Sequence, residues 1–339
     1  MSRKFSTIKD IARALNISVA TVSRAMRDTY DVSKETRQRV LDMASQLNYR
    51  PNSNAQGLVK RSTHNIGVII PAITNYYFST VITGIQEVAQ KNGFNIILFL
   101  TNDSPEQESE LVNELSLSNL DGLLACVSSH TNSCMHFQEV IDEGLPVVFF
   151  DRVAGGPETS KVMQDDYNGA YIAVEYLIKQ GYKNIAHITG PKNLLFTENR
   201  LKGYQDALTH HSMPLKDEMI VFSGFSQASG KDDTLRLFKN TTNSPDAIFA
   251  VNDRKAIGAI LALKELNIAI GKEVGVIGFT NDPMCEIITP TLSTVAEPAY
   301  QIGQISCELL IKHIKKDNFP AEQVILSCEL IERESSCKM

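Results

Sequence analysis

The hydrophobic period of this chain of 339 residues changes at Asn65, and that change sets what it can fold into. Before it, apolar residues recur only at helical spacing. Ile8, Ile11, Ala12 and Leu15 share one helical face, with Thr7 as a cap and Asp10 three residues on as its partner. Asn16-Ile17-Ser18 breaks that helix, and Ser18 caps a second over Val19–Met26. A third begins at Ser33 and runs to Leu47, with Val40, Ala44 and Leu47 facing inward. Two short helices across a tight turn predict a helix-turn-helix, whose second helix enters the major groove of DNA.

From Asn65 onward, short apolar runs alternate with helical stretches. The runs Ile66–Ile70, Asn95–Leu100, Gly122–Val127 and Pro146–Phe150 read as strands with helices between them. The pattern restarts after Val162, with strands at Asn184–Thr189, Met219–Phe222, Ala247–Val251 and Val274–Phe279. Such alternation predicts an α/β core of two doubly wound parallel-sheet lobes. The fold class is therefore a small all-α helix-turn-helix head plus an α/β core of periplasmic-binding-protein type, with a ligand cleft between the lobes.

Charge divides at the same place. Residues 1–62 hold 12 Lys/Arg against 5 Asp/Glu, a net of +7, while the rest of the chain is at −13. A basic head on an acidic body confines phosphate contact to the head. The six cysteines are scattered without a Cys-x-x-Cys pair and are expected to be free thiols in a reducing cytoplasm. No charged-then-apolar leader is evident and no apolar run approaches about 18 residues, so neither secretion nor membrane insertion is expected.

The runs Ile17-Ser18-Val19-Ala20-Thr21-Val22-Ser23-Arg24 and Leu47-Asn48-Tyr49-Arg50-Pro51-Asn52 resemble the lactose/galactose repressor family. That resemblance spans the chain. It implies a homodimer that binds a palindromic operator in double-stranded DNA and is switched by a small molecule, with release of DNA as the expected sign. It also implies three parts: a DNA-binding domain at 1–50, a hinge helix or linker at 51–62, and an effector-binding and dimerisation core at 63–339. Within the core, lobe 1 is expected at about 63–163 and 294–322, and lobe 2 at about 164–293 and 323–339, with crossings near Ser293 and Val324.

Candidate DNA contacts lie on the second helix. Val19, Ala20 and Arg24 project outward, where Arg24 suits a guanine edge and the small apolar side chains suit a thymine methyl. Thr21 and Ser23 suit phosphates. Leu58 stands in a Pro/Asn/Ser/Gly-containing stretch. The family's matching leucine wedges into the minor groove, where such wedges kink the duplex.

Candidate effector contacts follow strands, where open sheets bind ligands. Tyr77 and Phe78 suit stacking on a ring. Asp151-Arg152, after Val147-Val148-Phe149-Phe150, offers an acceptor beside a donor fork. Arg200, Asn252 and Phe225 match family positions for a ligand-clamping arginine, a ligand asparagine and an aromatic wall, while Asp253 is expected to cap the next helix. Two positions depart from the family pattern. Thr280 stands where an aspartate often grips sugar hydroxyls, and Glu297 where glutamine is frequent. Both weigh against the usual pentose or hexose grip and leave a polar, hydroxyl-rich ligand as the expectation.

The seven histidines have no metal spacing, no phosphate loop or nucleophile elbow is present, and Gly275-Val276-Ile277-Gly278 ends a strand instead of opening a helix. No cofactor, metal or catalytic group is expected, and the chain reads as a DNA-binding regulator, not an enzyme. Two alternatives stand beside that reading. One is a sugar-binding or sugar-modifying protein with an accessory head. The other is a DNA-binding protein whose cleft senses a phosphoprotein.

Overall fold

A computed structural model describes residues 6–26, 31–49, 62–115, 119–131, 133–153, 155–192, 194–240, 244–316 and 319–338. Contacts divide the chain into two units, Met1–Thr63 and His64–Met339.

The first unit is three helices: α1 (Ile8–Leu15), α2 (Val19–Met26) and α3 (Lys34–Gln46). Local chemistry sets their ends. The Asp10 carboxylate accepts from the Thr7 N–H (2.8 Å) and hydroxyl (2.7 Å), holding the first turn of α1. Asn16, at φ 53°, ends α1 in the left-handed conformation that short polar residues tolerate. Ser18 then opens α2 by accepting from the Thr21 N–H (3.0 Å), as Ser33 does for α3 from Thr36 (3.2 Å). Ile11, Ala12, Val22, Ala25, Val40 and Ala44 interlock as the core, and the three alanines let the helices approach closely. That burial turns Val19, Ala20 and Arg24 to solvent and leaves Thr21 and Ser23 half-buried. Leu58, and most of the 51–62 segment read as a hinge, lie outside the described residues.

The second unit holds two six-stranded sheets. The first contains β1 (Asn65–Ile70), β2 (Asn95–Leu100), β3 (Gly122–Ala125), β4 (Val147–Phe150), β5 (Lys161–Gln164) and β11 (Gln323–Leu326). They lie in the order β2-β1-β3-β4-β5-β11, every pairing parallel. Alternate strand residues face opposite ways and each face is covered. Ile66, Val68, Leu124 and Phe150 pack under α4 (Tyr76–Lys91) and α12 (Ala299–Lys315). Ile69, Leu123, Val147 and Phe149 pack under α5 (Pro105–Glu114) and α6 (Met135–Asp142). Helices α4 and α12 cross nearly backbone to backbone. A Cβ on Gly84 would collide with the Tyr300 carbonyl, and one on Gly303 with that of Val81.

The second sheet contains β6 (Ile185–Thr189), β7 (Ile220–Phe222), β8 (Ala247–Ala250), β9 (Gly275–Thr280), β10 (Ser293–Ala296) and β12 (Glu329–Ile331). Its order is β7-β6-β8-β9-β10-β12, parallel except for the β10–β12 pair. One face packs on α7 (Asp166–Lys179) and α8 (Leu195–His210), the other on α9 (Gln227–Asn240) and α10 (Asp253–Glu265).

The chain passes between the sheets after Gln164, after Ala296 and after Leu326. The second and third crossings fall later than the expected positions near Ser293 and Val324. Strand β10 belongs to the second sheet and β11 to the first, so each strand is completed before the chain turns away. An apolar run announces a strand but does not reveal which sheet it joins. No helix among the described residues is long and apolar enough to cross a membrane.

Candidate functional site

Carboxyl ends of strands from both sheets converge on one cavity of about 160 Å³. All nine residues nominated from the sequence line it: Tyr77, Phe78, Asp151, Arg152, Arg200, Phe225, Asn252, Thr280 and Glu297. A wider opening of about 840 Å³ shares Asp151, Arg152 and Phe196 with it. The location follows from the topology. Both sheets reverse their strand order next to their first strand, and such reversal points leave a crevice beyond the carboxyl ends.

On the first-lobe wall, Asn75 opens α4 by accepting from the Tyr77 N–H (3.0 Å). Tyr77 and Phe78 are buried, with the Tyr77 hydroxyl donating to Gln164 Oε1 (3.3 Å). Stacking on an open ring was the expectation. Both side chains are buried in the first-lobe core and also line the cavity. Burial first, then the charges of Asp151 and Glu297, raises the Tyr77 pKa and keeps the phenol protonated.

Asp151 and Arg152 act separately. Asp151, at φ 58°, is left-handed, which turns its carboxylate toward Gln164 Nε2 (3.1 Å) and the Cys126 thiol (3.5 Å). Arg152 Nη1 donates to Asp103 (2.7 Å) and Ser129 (2.8 Å). Its guanidinium carbon lies 6.0, 5.7 and 5.4 Å from the ring centres of Phe78, Phe196 and Phe225, the last two from the second lobe.

On the second-lobe wall, every nitrogen of Arg200 has an acceptor. Nε donates to Asp166 Oδ1 (2.7 Å), Nη1 to the Val251 carbonyl (2.6 Å) and Nη2 to Glu297 Oε1 (2.6 Å). Phe279 lies beneath the guanidinium at 3.5 Å and Phe196 lies 5.1 Å away. Asp166 follows the first crossing and Glu297 the second, so one arginine ties two crossings together. Burial raises the Asp166 pKa to about 6 and that of Glu297 to about 7, against the pull of Arg200. Burial also opposes the charge of Arg200, but the two carboxylates outweigh it and raise its pKa. Thr280, a β-branched residue at φ 135°, pairs in the sheet with Ala296, next to Glu297.

Asn252 lines the cavity and also caps α10, its Oδ1 accepting from the Lys255 N–H (2.8 Å) and its Nδ2 donating to the Phe225 carbonyl (3.2 Å). The cap expected of Asp253 therefore belongs to Asn252. Asp253 points inward to the Thr294 hydroxyl (2.6 Å) and the Asp282 N–H (2.8 Å). Sequence reasoning missed Asp103, Asp166 and Phe196. Asp103 and Asp166 follow strand ends closely, a signal that was used for Asp151 but not for them, whereas Phe196 lies in the first turn of α8.

A separate three-helix unit and a two-lobed core with a cleft at the carboxyl ends of both sheets define the architecture. Comparison with known proteins identifies the family. Residues 7–52 match the bacterial regulatory proteins of the lacI family, and residues 174–336 a periplasmic binding protein-like domain. Catabolite control protein A of Priestia megaterium is 31% identical over 331 residues, covering 97% of this chain and 99% of that protein. The ribose operon repressor of Halalkalibacterium halodurans is 30% identical over 331 residues, covering 98% and 97%. Among solved structures, a LacI family transcriptional regulator from Enterococcus faecium with bound ribose superposes with a TM-score of 0.70 at 30% identity, covering 81% of this chain and 99% of that one. The chain belongs to the lacI family of transcriptional regulators, which bind DNA through the helix-turn-helix.

Proposed function

We propose that this regulator holds a small polyhydroxy effector between its two lobes and that the effector changes its grip on operator DNA. The observation that carries the reading is the cavity where both sheets end, lined by charged and aromatic groups from each lobe. A ribose-bound relative with the same two-lobed fold supports it. The reading has the protein acting as a homodimer on a palindromic site. Val19, Ala20 and Arg24 meet base edges there, Thr21 and Ser23 meet phosphates, and Leu58 meets the minor groove. Asp151, Arg152, Arg200, Asn252, Thr280 and Glu297 form the polar lining that meets the effector, with Tyr77, Phe78 and Phe225 shaping the space. Coupling between sites of this kind is about 1–3 kcal/mol, and release of DNA is the expected sign.

The test is operator titration at fixed salt, with and without a ligand found by screening sugars, polyols, sugar acids and nucleosides. A ligand that shifts operator affinity five-fold or more, and loses that effect in Asp151→Ala, supports the switch. Equal operator affinities with and without a confirmed cleft ligand would leave a constitutive DNA binder.

A further inference from the structure

We infer that Glu297, together with Asp166, fits the cleft to an uncharged or amine-bearing polyol and against ligands carrying a carboxylate or phosphate. The inference rests on the cleft being the effector site.

A guanidinium recognises an anion by presenting an open fork of donors. Arg200 presents none, because Asp166, Glu297 and the Val251 carbonyl take its three nitrogens. Phe279 covers a face of the group as well. An incoming carboxylate would have to displace Glu297 or lie beside two carboxylates in a site shielded from water, where like charges repel strongly. Arg152 gives Nη1 to Asp103 and Ser129, and the Asp103 carboxylate beside it offsets its charge. The narrow cavity sets Asp103, Asp151 and Glu297 against Arg152, Arg200 and Arg254, and Asp166 lies against Arg200. Arg254 is exposed, at the start of α10, so the interior of the site is carboxylate-rich.

Those carboxylates keep accepting capacity. Each oxygen of Asp151 has one named donor, Gln164 or Cys126, and a carboxylate oxygen accepts two. Groups that donate therefore meet open acceptors, namely hydroxyls and ammonium groups. The two departures are neighbours, because Thr280 pairs in the sheet with Ala296, the residue before Glu297. An aspartate at 280 would set a second carboxylate against Glu297. The acceptor has in effect moved from 280 to 297, where it also occupies Arg200.

The test titrates the full-length protein by calorimetry and thermal shift with matched sets: glucose, glucosamine, glucuronate and glucose 6-phosphate, and ribose with ribose 5-phosphate. The expected result is a neutral or amino member binding at least ten-fold tighter than its acidic counterpart. Glu297→Gln should narrow that ratio to three-fold or less by admitting the acid. Tighter binding of an acidic member to the unmodified protein overturns the inference while leaving the effector reading intact. A ratio unchanged in folded Glu297→Gln also overturns it. If that variant does not fold, the ratio in the unmodified protein decides. A hit that binds Asp151→Ala as well as the unmodified protein places the ligand elsewhere and removes the effector reading, and the absence of any binder removes both.

Discussion

The two walls of the cleft each carry an arginine, and the two are held in opposite ways. Arg200 on the second-lobe wall is 4% exposed and joins Asp166 and Glu297, both nearly buried, at two of the three crossings. Arg152 on the first-lobe wall is 12% exposed, and its partner Asp103 is 37% exposed. Its rings come from both lobes. One guanidinium is thus built into the hinge. The other spans the cleft, with its carboxylate partner on the first lobe and two of its rings on the second. The same residue type serves as architecture on one side and as a bridge across the cleft on the other, and burial of the partner carboxylates makes the difference.

Arg200→Ala breaks the comparison most directly. It leaves two buried carboxylates without their cation, and stability should fall by about 3–5 kcal/mol, read from the midpoint and slope of urea unfolding. A loss under about 1 kcal/mol would mean that the second wall is no more structural than the first.

Glu297→Gln sharpens it through pH. In the folded protein the Glu297 pKa is raised from 4.5 to about 7, so unfolding releases a proton between those values. Stability of the unmodified protein should therefore fall relative to the variant as pH rises from 4.5 to 7, by about 2–3 kcal/mol across the window. Parallel stability curves for the two proteins would show that Glu297 is not desolvated.

Arg152→Ala should have the smallest effect on stability, about 1–2 kcal/mol, because the ion pair and ring contacts that it loses involve a partner, Asp103, that is exposed enough to rehydrate. Its larger effect should appear in effector affinity. Calorimetry on this variant and on Arg200→Ala, compared at equal folded fraction, separates grip from frame.

Much of this was legible in the chain. Alternating strand and helix runs foretold two mainly parallel sheets, while the residues lining the cavity were nominated partly from strand ends and partly from the family resemblance. Caps at Thr7, Ser18 and Ser33 were readable because each depends on a neighbour three residues away. What was not legible depends on distance. The bond from Arg200 to Glu297 spans 97 residues, and the one from Arg152 to Asp103 spans 49. Asp151 and Arg152 were read together because adjacency is visible in sequence, whereas their partners Gln164, Cys126, Asp103 and Ser129 are not. Asn252 and Asp253 were assigned in the wrong order for a related reason: either can cap a helix, and only packing decides which one turns inward.

The interleaved course of the chain through both sheets has a consequence for synthesis on the ribosome. The three-helix unit needs nothing beyond the residues around Tyr49 for its core and can form as soon as they emerge. The first lobe waits for α12 and β11, which cover its sheet and supply its edge, and the second waits for β10 and β12. Neither receptor lobe is finished until Leu326 and Ile331 have been made. The nascent chain therefore exposes a completed three-helix unit while both receptor lobes still lack strands, and translation stalled in the last tenth of the message would leave that unit joined to an unfinished core.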